Sequence, residues 1–303
     1  MLPAETLLIA GPTGAGKTEL SLTLASSLDG EIVGADAFQI YRGLPILTAQ
    51  PSLSCRRGIP HHLIGSVDPS RPYDAGRYLS DALPVIREIA ARGKRPIVVG
   101  GTGLYFKALL GGLNELPKGS PELRTELQAL STEELLTRLN SLDPEAPAMI
   151  DVANRRRVER ALEIVLLSGK SLAEARSGPV SPPSAVTALL ILRDREELGS
   201  RIEANVRAMF AQGVLDEVSA LSEEAIGITA AMTLGLREIR SHLRGETSRE
   251  ETISAIVTAT RKYAKRQMTW FRNQHDFSML NLSEFPDPEE ALKVSLRLAR
   301  RGA

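Results

Sequence analysis

Leu7-Leu8-Ile9-Ala10-Gly11-Pro12-Thr13-Gly14-Ala15-Gly16-Lys17-Thr18 is the stretch that decides the fold. Its first four residues read as a buried strand. The next eight keep the spacing G-x-x-x-x-G-K-S/T of a phosphate cradle that opens a helix. Glycines let the backbone turn so that successive N–H groups point into one concavity. A helix starting near Lys17 adds the positive end of its dipole. Gly11, Pro12, Thr13, Gly14, Ala15, Gly16, Lys17 and Thr18 are therefore expected to hold a diphosphate or triphosphate. Lys17 supplies a point charge for the terminal phosphate, and Thr18 supplies a hydroxyl ligand for Mg²⁺. The pattern is specific for phosphate and silent on the reaction. Kinases, nucleotide hydrolases and transferases of diphosphate-activated groups all share it.

Outward from the loop, Ile32–Gly34, Pro96–Gly100 and Val186–Leu192 repeat the apolar, β-branched character of Leu7–Ala10 and read as buried parallel strands. Helical patterns lie between them: Lys17–Ser27 runs to the turn Asp29-Gly30, and Arg77–Arg92 ends at Gly93, a C′ glycine. Strands alternating with helices predict an α/β fold, a doubly wound parallel sheet of the phosphate-loop type. Residues 117–183 change character. Prolines and glycines open and close the segment, and Leu123, Leu127, Leu130, Leu135, Leu136 and Leu139 recur at helical spacing. It reads as a small helical domain inserted into a core of residues 1–116 and 184–303. Further helices are expected at Glu196–Gln212, Leu215–Leu221, Leu234–Leu243 and Glu250–Arg272. The stretch after Asp276 is amphipathic and carries no clear signal.

Composition narrows the class. At 43% hydrophobic and 24% charged, the 303 residues are those of an ordinary globular protein, and no apolar run reaches the roughly 18 residues of a membrane span. Met1-Leu2-Pro3-Ala4-Glu5 leads straight into the first strand, so no signal or transit peptide is expected. Cys55 is the one cysteine, and His61, His62, His242 and His275 lack metal-ligand spacing. These features point to the cytosol. Lys plus Arg equals Asp plus Glu at 37 each, yet the signs are segregated. Arg261, Lys262, Lys265, Arg266 and Arg272 stand together without an acidic residue, and Arg155, Arg156, Arg157 and Arg160 form a second cluster. Such clusters suit either a solvated face or a basic groove.

In an open parallel sheet, ligands gather beyond the carboxyl ends of the strands, where the phosphate loop also sits. Asp36 follows the second strand and would face the loop across that crevice. Its carboxylate can accept a proton or hold Mg²⁺ through water, and it can equally cap a helix. Gly100-Gly101-Thr102-Gly103 ends the third strand in the same place. Thr102 offers a hydroxyl there, although a plain strand-to-helix turn would read the same way.

Six motifs in one order carry a resemblance that covers about Leu7 to Arg272. They are the phosphate loop; Asp36 with Gln39-Ile40-Tyr41-Arg42-Gly43-Leu44; Pro60-His61-His62-Leu63; Gly100-Gly101-Thr102-Gly103-Leu104-Tyr105; Asn154 with Arg157-Val158-Glu159-Arg160-Ala161-Leu162-Glu163; and Tyr263-Ala264-Lys265-Arg266-Gln267-Met268-Thr269-Trp270-Phe271-Arg272. The chain resembles the bacterial tRNA dimethylallyltransferases. The resemblance implies transfer of a dimethylallyl group from dimethylallyl diphosphate to N6 of the adenosine 3′ to the tRNA anticodon. The loop would then hold the diphosphate leaving group, with Mg²⁺ at Thr18.

By the same resemblance Asp36 is the general base, Arg201 contacts the diphosphate, and Thr18 and Thr102 serve donor and tRNA respectively. Asp36, Ala37, Phe38 and Gln39 meet the extruded base. Arg124, with Arg156, Arg157, Val158, Glu159 and Arg160, touches the RNA. Lys265 and Arg266, on a basic helix, are suited to its phosphates. Trp270 and Phe271 are expected to close the core. No membrane and no obligate protein partner are implied, and a monomer is expected. The alternative is a free adenine-nucleotide prenyltransferase, which needs neither the insertion nor the basic helix. The chain departs from the family pattern at Ala37 (serine), at Pro45 and Gln50 (aspartate and lysine), and at Leu234-Gly235-Leu236 (Ile-Gly-Tyr).

Overall fold

The structure, a computed structural model, describes residues 1–113, 116–177, 186–274 and 277–300. Strand β1 (Leu7–Ala10) is buried along its whole length and pairs on both sides with parallel neighbours. Residues 1–110 together with the described residues from 186 onward form one compact unit, and the described residues 111–177 form a second.

In the first unit β2 (Gly30–Ala35), β3 (His61–His62), β4 (Arg95–Gly100), β5 (Thr187–Leu192) and β6 (Ser278–Asn281) complete a parallel sheet of order β3-β2-β4-β1-β5-β6. The apolar run of β1 divides by alternation. Leu8 and Ala10 face a core shared with α2 (Ala75–Ala91), α3 (Gly103–Gly111), α8 (Arg195–Ala211) and α11 (Arg249–Gln274). Leu7 and Ile9 face α1 (Lys17–Leu28) and α12 (Pro288–Arg300) on the opposite side. A strand covered on both faces has to be apolar throughout. Phe271 is fully buried, edge-on to Phe106 at 5.5 Å, and Trp270 packs at the margin of the same core, as expected.

The predicted strands all appear. The two not anticipated lie at the sheet edges: β3 has two residues, and β6 is half exposed, so neither carries an apolar period. At the turn after α1 the left-handed residue is Asp29 (φ 50°), and Gly30 is already in β2. Gly93, with φ 73°, ends α2 as expected.

The second unit holds α4 (Pro121–Gln128), α5 (Thr132–Leu142), α6 (Arg155–Ser168) and α7 (Leu172–Arg176). They close over Leu127, Leu135, Leu139, Val158, Leu162 and Leu172. Leu116 packs against this core, which is why the structural division precedes 117 rather than falling there. The Gly178–Pro183 closure of the insertion, residues 184 and 185, His275 and residues 301–303 lie outside the described residues. Among those described, no helix is long and apolar enough to cross a membrane. Between β5 and β6 the chain also forms α9 (Val214–Ser219) and α10 (Leu236–Leu243).

Candidate active site

Because the strands are parallel and Ala35, Gly100, Ala10 and Leu190 stand in register, the turns that follow them emerge along one edge. One strand, β4, lies between β1 and β2, so their exits stand two strand spacings apart, about 10 Å. The phosphate loop turns through Gly14 (φ 82°) and Gly16 (φ 97°), values that a Cβ disfavours. Three cations hold its carbonyls. Lys17 Nζ donates to Pro12 O at 2.8 Å, Arg201 Nε to Gly14 O at 2.9 Å and Arg193 Nε to Ala15 O at 3.1 Å. Fixing the carbonyls fixes the peptide planes, so the N–H dipoles are oriented before any ligand arrives.

A further clamp comes from α11. Gln267 accepts from Thr13 N–H at 3.0 Å and donates Nε2–H to Gly101 O at 2.9 Å, with its side chain almost wholly buried. It ties the loop after β1 to the loop after β4. A Cβ at position 101 would stand 2.1 Å from that nitrogen, so only glycine leaves room for the bridge. The sequence marks no role for Gln267 or Arg193. Gln267 lies 254 residues from Thr13, and nothing local marks it out.

Asp36 caps the turn after β2, one of the capacities its position allows. Oδ1 accepts from Phe38 N–H at 2.9 Å and Gln39 N–H at 3.3 Å, capping the turn. Among the described residues Oδ2 accepts no hydrogen bond. Thr102 Oγ1 accepts from Ala37 N–H at 2.9 Å, which joins the β4 exit to the β2 exit. The Tyr263 phenol lies against Thr102 and Gln267, and its ring is 5.9 Å from Phe38. Burial, then the Asp36 charge, pushes the Tyr263 phenol above its ordinary range, so it stays protonated.

Thr13, Lys17, Thr18, Asp36, Arg201 and Tyr263 line one cavity of about 290 Å³. Leu47, Val99, Ile202, Val206, Met209 and Ile256 add an apolar patch to its wall, beside the polar Gln39, Thr48, Asn205, Thr233 and Thr260. Burial lowers the Lys17 ammonium from 10.5 to about 8, and the Asp36 carboxylate opposes that shift. Among the described residues no three His, Cys, Asp or Glu side chains converge to hold a metal alone. The exposed Thr18 hydroxyl and the open Asp36 oxygen instead fit a hard cation that takes its other ligands from phosphate and water.

The loop carrying the departures is well fixed. Gln50 Nε2 donates to Gln39 O at 3.0 Å and Tyr41 O at 2.8 Å, while Ile46 and Leu47 N–H both donate to Glu217 at 2.7 Å. Gln39, expected at the RNA, donates its amide protons to Thr48 O and Ala49 O.

On α11, Lys265 and Arg266 are both exposed. Arg266 covers the Tyr263 ring at 5.6 Å, and Lys265 lines a separate groove with Arg193, Arg195, Arg261, Lys262 and Arg272. In the helical unit Arg156 and Arg157 are exposed, and Glu159 pairs with Arg155 at 2.7 Å. Arg124 and Arg160 both bond Glu163. Val158 corrects the sequence reading: its side chain is wholly buried in the core of that unit, because α6 turns this position inward, and it offers no contact to RNA.

Residues 39–274 match the family model described as IPP transferase. The tRNA dimethylallyltransferase of Akkermansia muciniphila is 45% identical over 283 residues, covering 93% of this chain and 95% of that protein. Its counterpart in Caulobacter sp. is 43% identical, covering 90% and 91%. Among solved structures, the full-length tRNA isopentenylpyrophosphate transferase of Bacillus halodurans is 32% identical and matches with a TM-score of 0.73 over 98% of each chain. A eukaryotic dimethylallyltransferase acting on tRNA, 27% identical, gives 0.81 over 98% of this chain and 79% of that one. The chain belongs to the IPP transferase family, with the tRNA dimethylallyltransferases among its relatives.

Proposed function

We propose that this chain transfers a dimethylallyl group from dimethylallyl diphosphate to N6 of the adenosine 3′ to the anticodon of tRNA, releasing diphosphate. The observation that carries this reading is one small cavity whose lining brings together a phosphate cradle, a carboxylate and an apolar patch of wall. The cradle suits a diphosphate and the wall suits a five-carbon chain. As the allylic C–O bond breaks, charge grows on the departing diphosphate, which the loop N–H groups, Lys17 and Arg201 would stabilise. The apolar patch would give the five-carbon chain a surface to pack on. As the N6–C bond forms, the amine becomes acidic and its proton passes to the open oxygen of Asp36. Thr18 would hold Mg²⁺, which when bound supplies further positive charge to the leaving group.

The target base has to leave its stack to reach the cavity, at a cost of a few kcal/mol. Phe38 and Tyr263 offer ring faces at the mouth, and Thr102 a hydroxyl. The basic residues of α11 and of the helical unit suit the RNA phosphates, which position the substrate. A tRNA substrate puts the enzyme in the cytoplasm, and every group the reaction uses comes from one chain, so a monomer suffices. The other acceptor to consider, a free adenine nucleotide, leaves the helical unit and the basic helix without a role.

Asp36→Ala tests the reading directly. It should keep tRNA binding and lose transfer by about 10²- to 10⁴-fold. Transfer near the unsubstituted rate would remove Asp36 as the base.

A further inference from the structure

Glu163 lies on α6 of the helical unit, and only 2% of it is exposed. Burying a lone carboxylate is costly, so its partners determine what it does. Arg124 Nε donates to Oε1 at 2.9 Å, and Arg160 donates to Oε2 at 2.5 Å and to Pro117 O at 2.9 Å. The two guanidiniums arrive from different helices, α4 and α6. They remain 58% and 36% exposed, although the carboxylate between them is hidden. A guanidinium has five N–H donors, and Arg124 uses one among the described residues. Gly119 closes the pair from behind: a Cβ there would stand 2.1 Å from Arg124 and 2.4 Å from Glu163. Arg157 and Arg176 stand close enough that Arg176 is held below its usual range by burial and then by the charges of Arg157 and Arg160. Two arginines thus share one carboxylate, and the charges of Arg157 and Arg176 stand close to Arg160, which leaves an excess of positive charge at this place.

We propose that Glu163 is the positioning residue of a phosphate receptor on the helical unit, holding Arg124 and Arg160 in the orientation that grips backbone phosphates of the RNA substrate, with Arg157 and Arg176 beside them. This deepens the proposed function and rests on it. A buried carboxylate that fixes two long cations removes the entropy they would otherwise lose on binding. The arginines deliver the affinity and Glu163 never touches the RNA.

The test uses the full chain with an anticodon stem-loop, measuring Kd across a salt series, kcat, and KM for each substrate. Glu163→Gln keeps the volume and removes the charge. It should weaken RNA binding about tenfold and flatten the salt slope by about one phosphate contact. kcat at saturating RNA and KM for the diphosphate should stay unchanged. Arg124→Ala should lose similarly, and the double variant should lose no more than either single one. A purely structural Glu163 would lower the melting temperature and leave the salt slope intact, which overturns the proposal. So does an unchanged Kd in Glu163→Gln while Arg124→Ala weakens binding, since the arginines would then act without it. Failure of the unsubstituted chain to bind the stem-loop at all would instead sink the functional reading beneath it.

Discussion

Lys17 carries a charge that the ligand-free cavity disfavours. Burial brings its ammonium from 10.5 to about 8 against the pull of Asp36. That difference corresponds to about 3 kcal/mol for holding the charged form in the site. The sign is that of a cation whose folded pKa is depressed. Below pH 8 the folded chain bears the penalty in full; between about 8 and 10.5 the unfolded chain keeps the proton that the folded one sheds, so this contribution to stability rises with pH. A bound diphosphate reverses the situation by giving the ammonium an anionic partner and restoring its ordinary affinity for the proton. Donor binding above pH 8 should therefore take up a proton, about 0.9 of one at pH 9. Affinity should fall about tenfold per pH unit above 8 and level off after about 300-fold. Calorimetric titration with dimethylallyl diphosphate at pH 9, in two buffers of different ionisation enthalpy, reads the uptake directly. Lys17→Met should bind the donor weakly at pH 7 and show no uptake at pH 9. An unsubstituted chain that takes up no proton, or a Lys17→Met variant that still does, refutes the reasoning.

Gln267→Leu should leave Thr13 N–H and Gly101 C=O buried and unpaired and cost about 2 to 4 kcal/mol; an unchanged denaturation midpoint would show that the bridge is dispensable. Gln50→Ala removes two hydrogen bonds to the 39–41 backbone and should cost about 1 to 2 kcal/mol, with proteolysis reporting whether the loop loosens. Lys265→Glu should weaken tRNA binding and spare donor affinity. Equal losses in both would mean that α11 supports the fold at this position rather than meeting RNA.

Some of this architecture is legible because short-range rules govern it. The phosphate loop announces itself by spacing, and β1 by an apolar run bounded by glycine. The helical insertion shows through leucines at helical spacing, three of which (Leu127, Leu135 and Leu139) are buried. The edge strands are not legible, because a two-residue strand and a half-exposed one have no period to read. Gln267 is equally hidden: a glutamine within a basic helix says nothing of a loop 254 residues earlier. Asp36 shows how one position answers to two principles, one oxygen capping a turn and the other accepting no hydrogen bond among the described residues. The Arg156–Arg160 segment illustrates the opposite difficulty. Its residues read as one basic cluster, but helical geometry sends Val158 into the core and pairs Arg160 with a carboxylate three residues on.

The most direct test of the central claim is to incubate the purified chain with Mg²⁺, dimethylallyl diphosphate and an unmodified anticodon stem-loop, with AMP also present, and weigh the products by mass spectrometry. The account predicts one dimethylallyl group on the adenosine 3′ to the anticodon and none on AMP. Modification of AMP alone, or of neither, would contradict it.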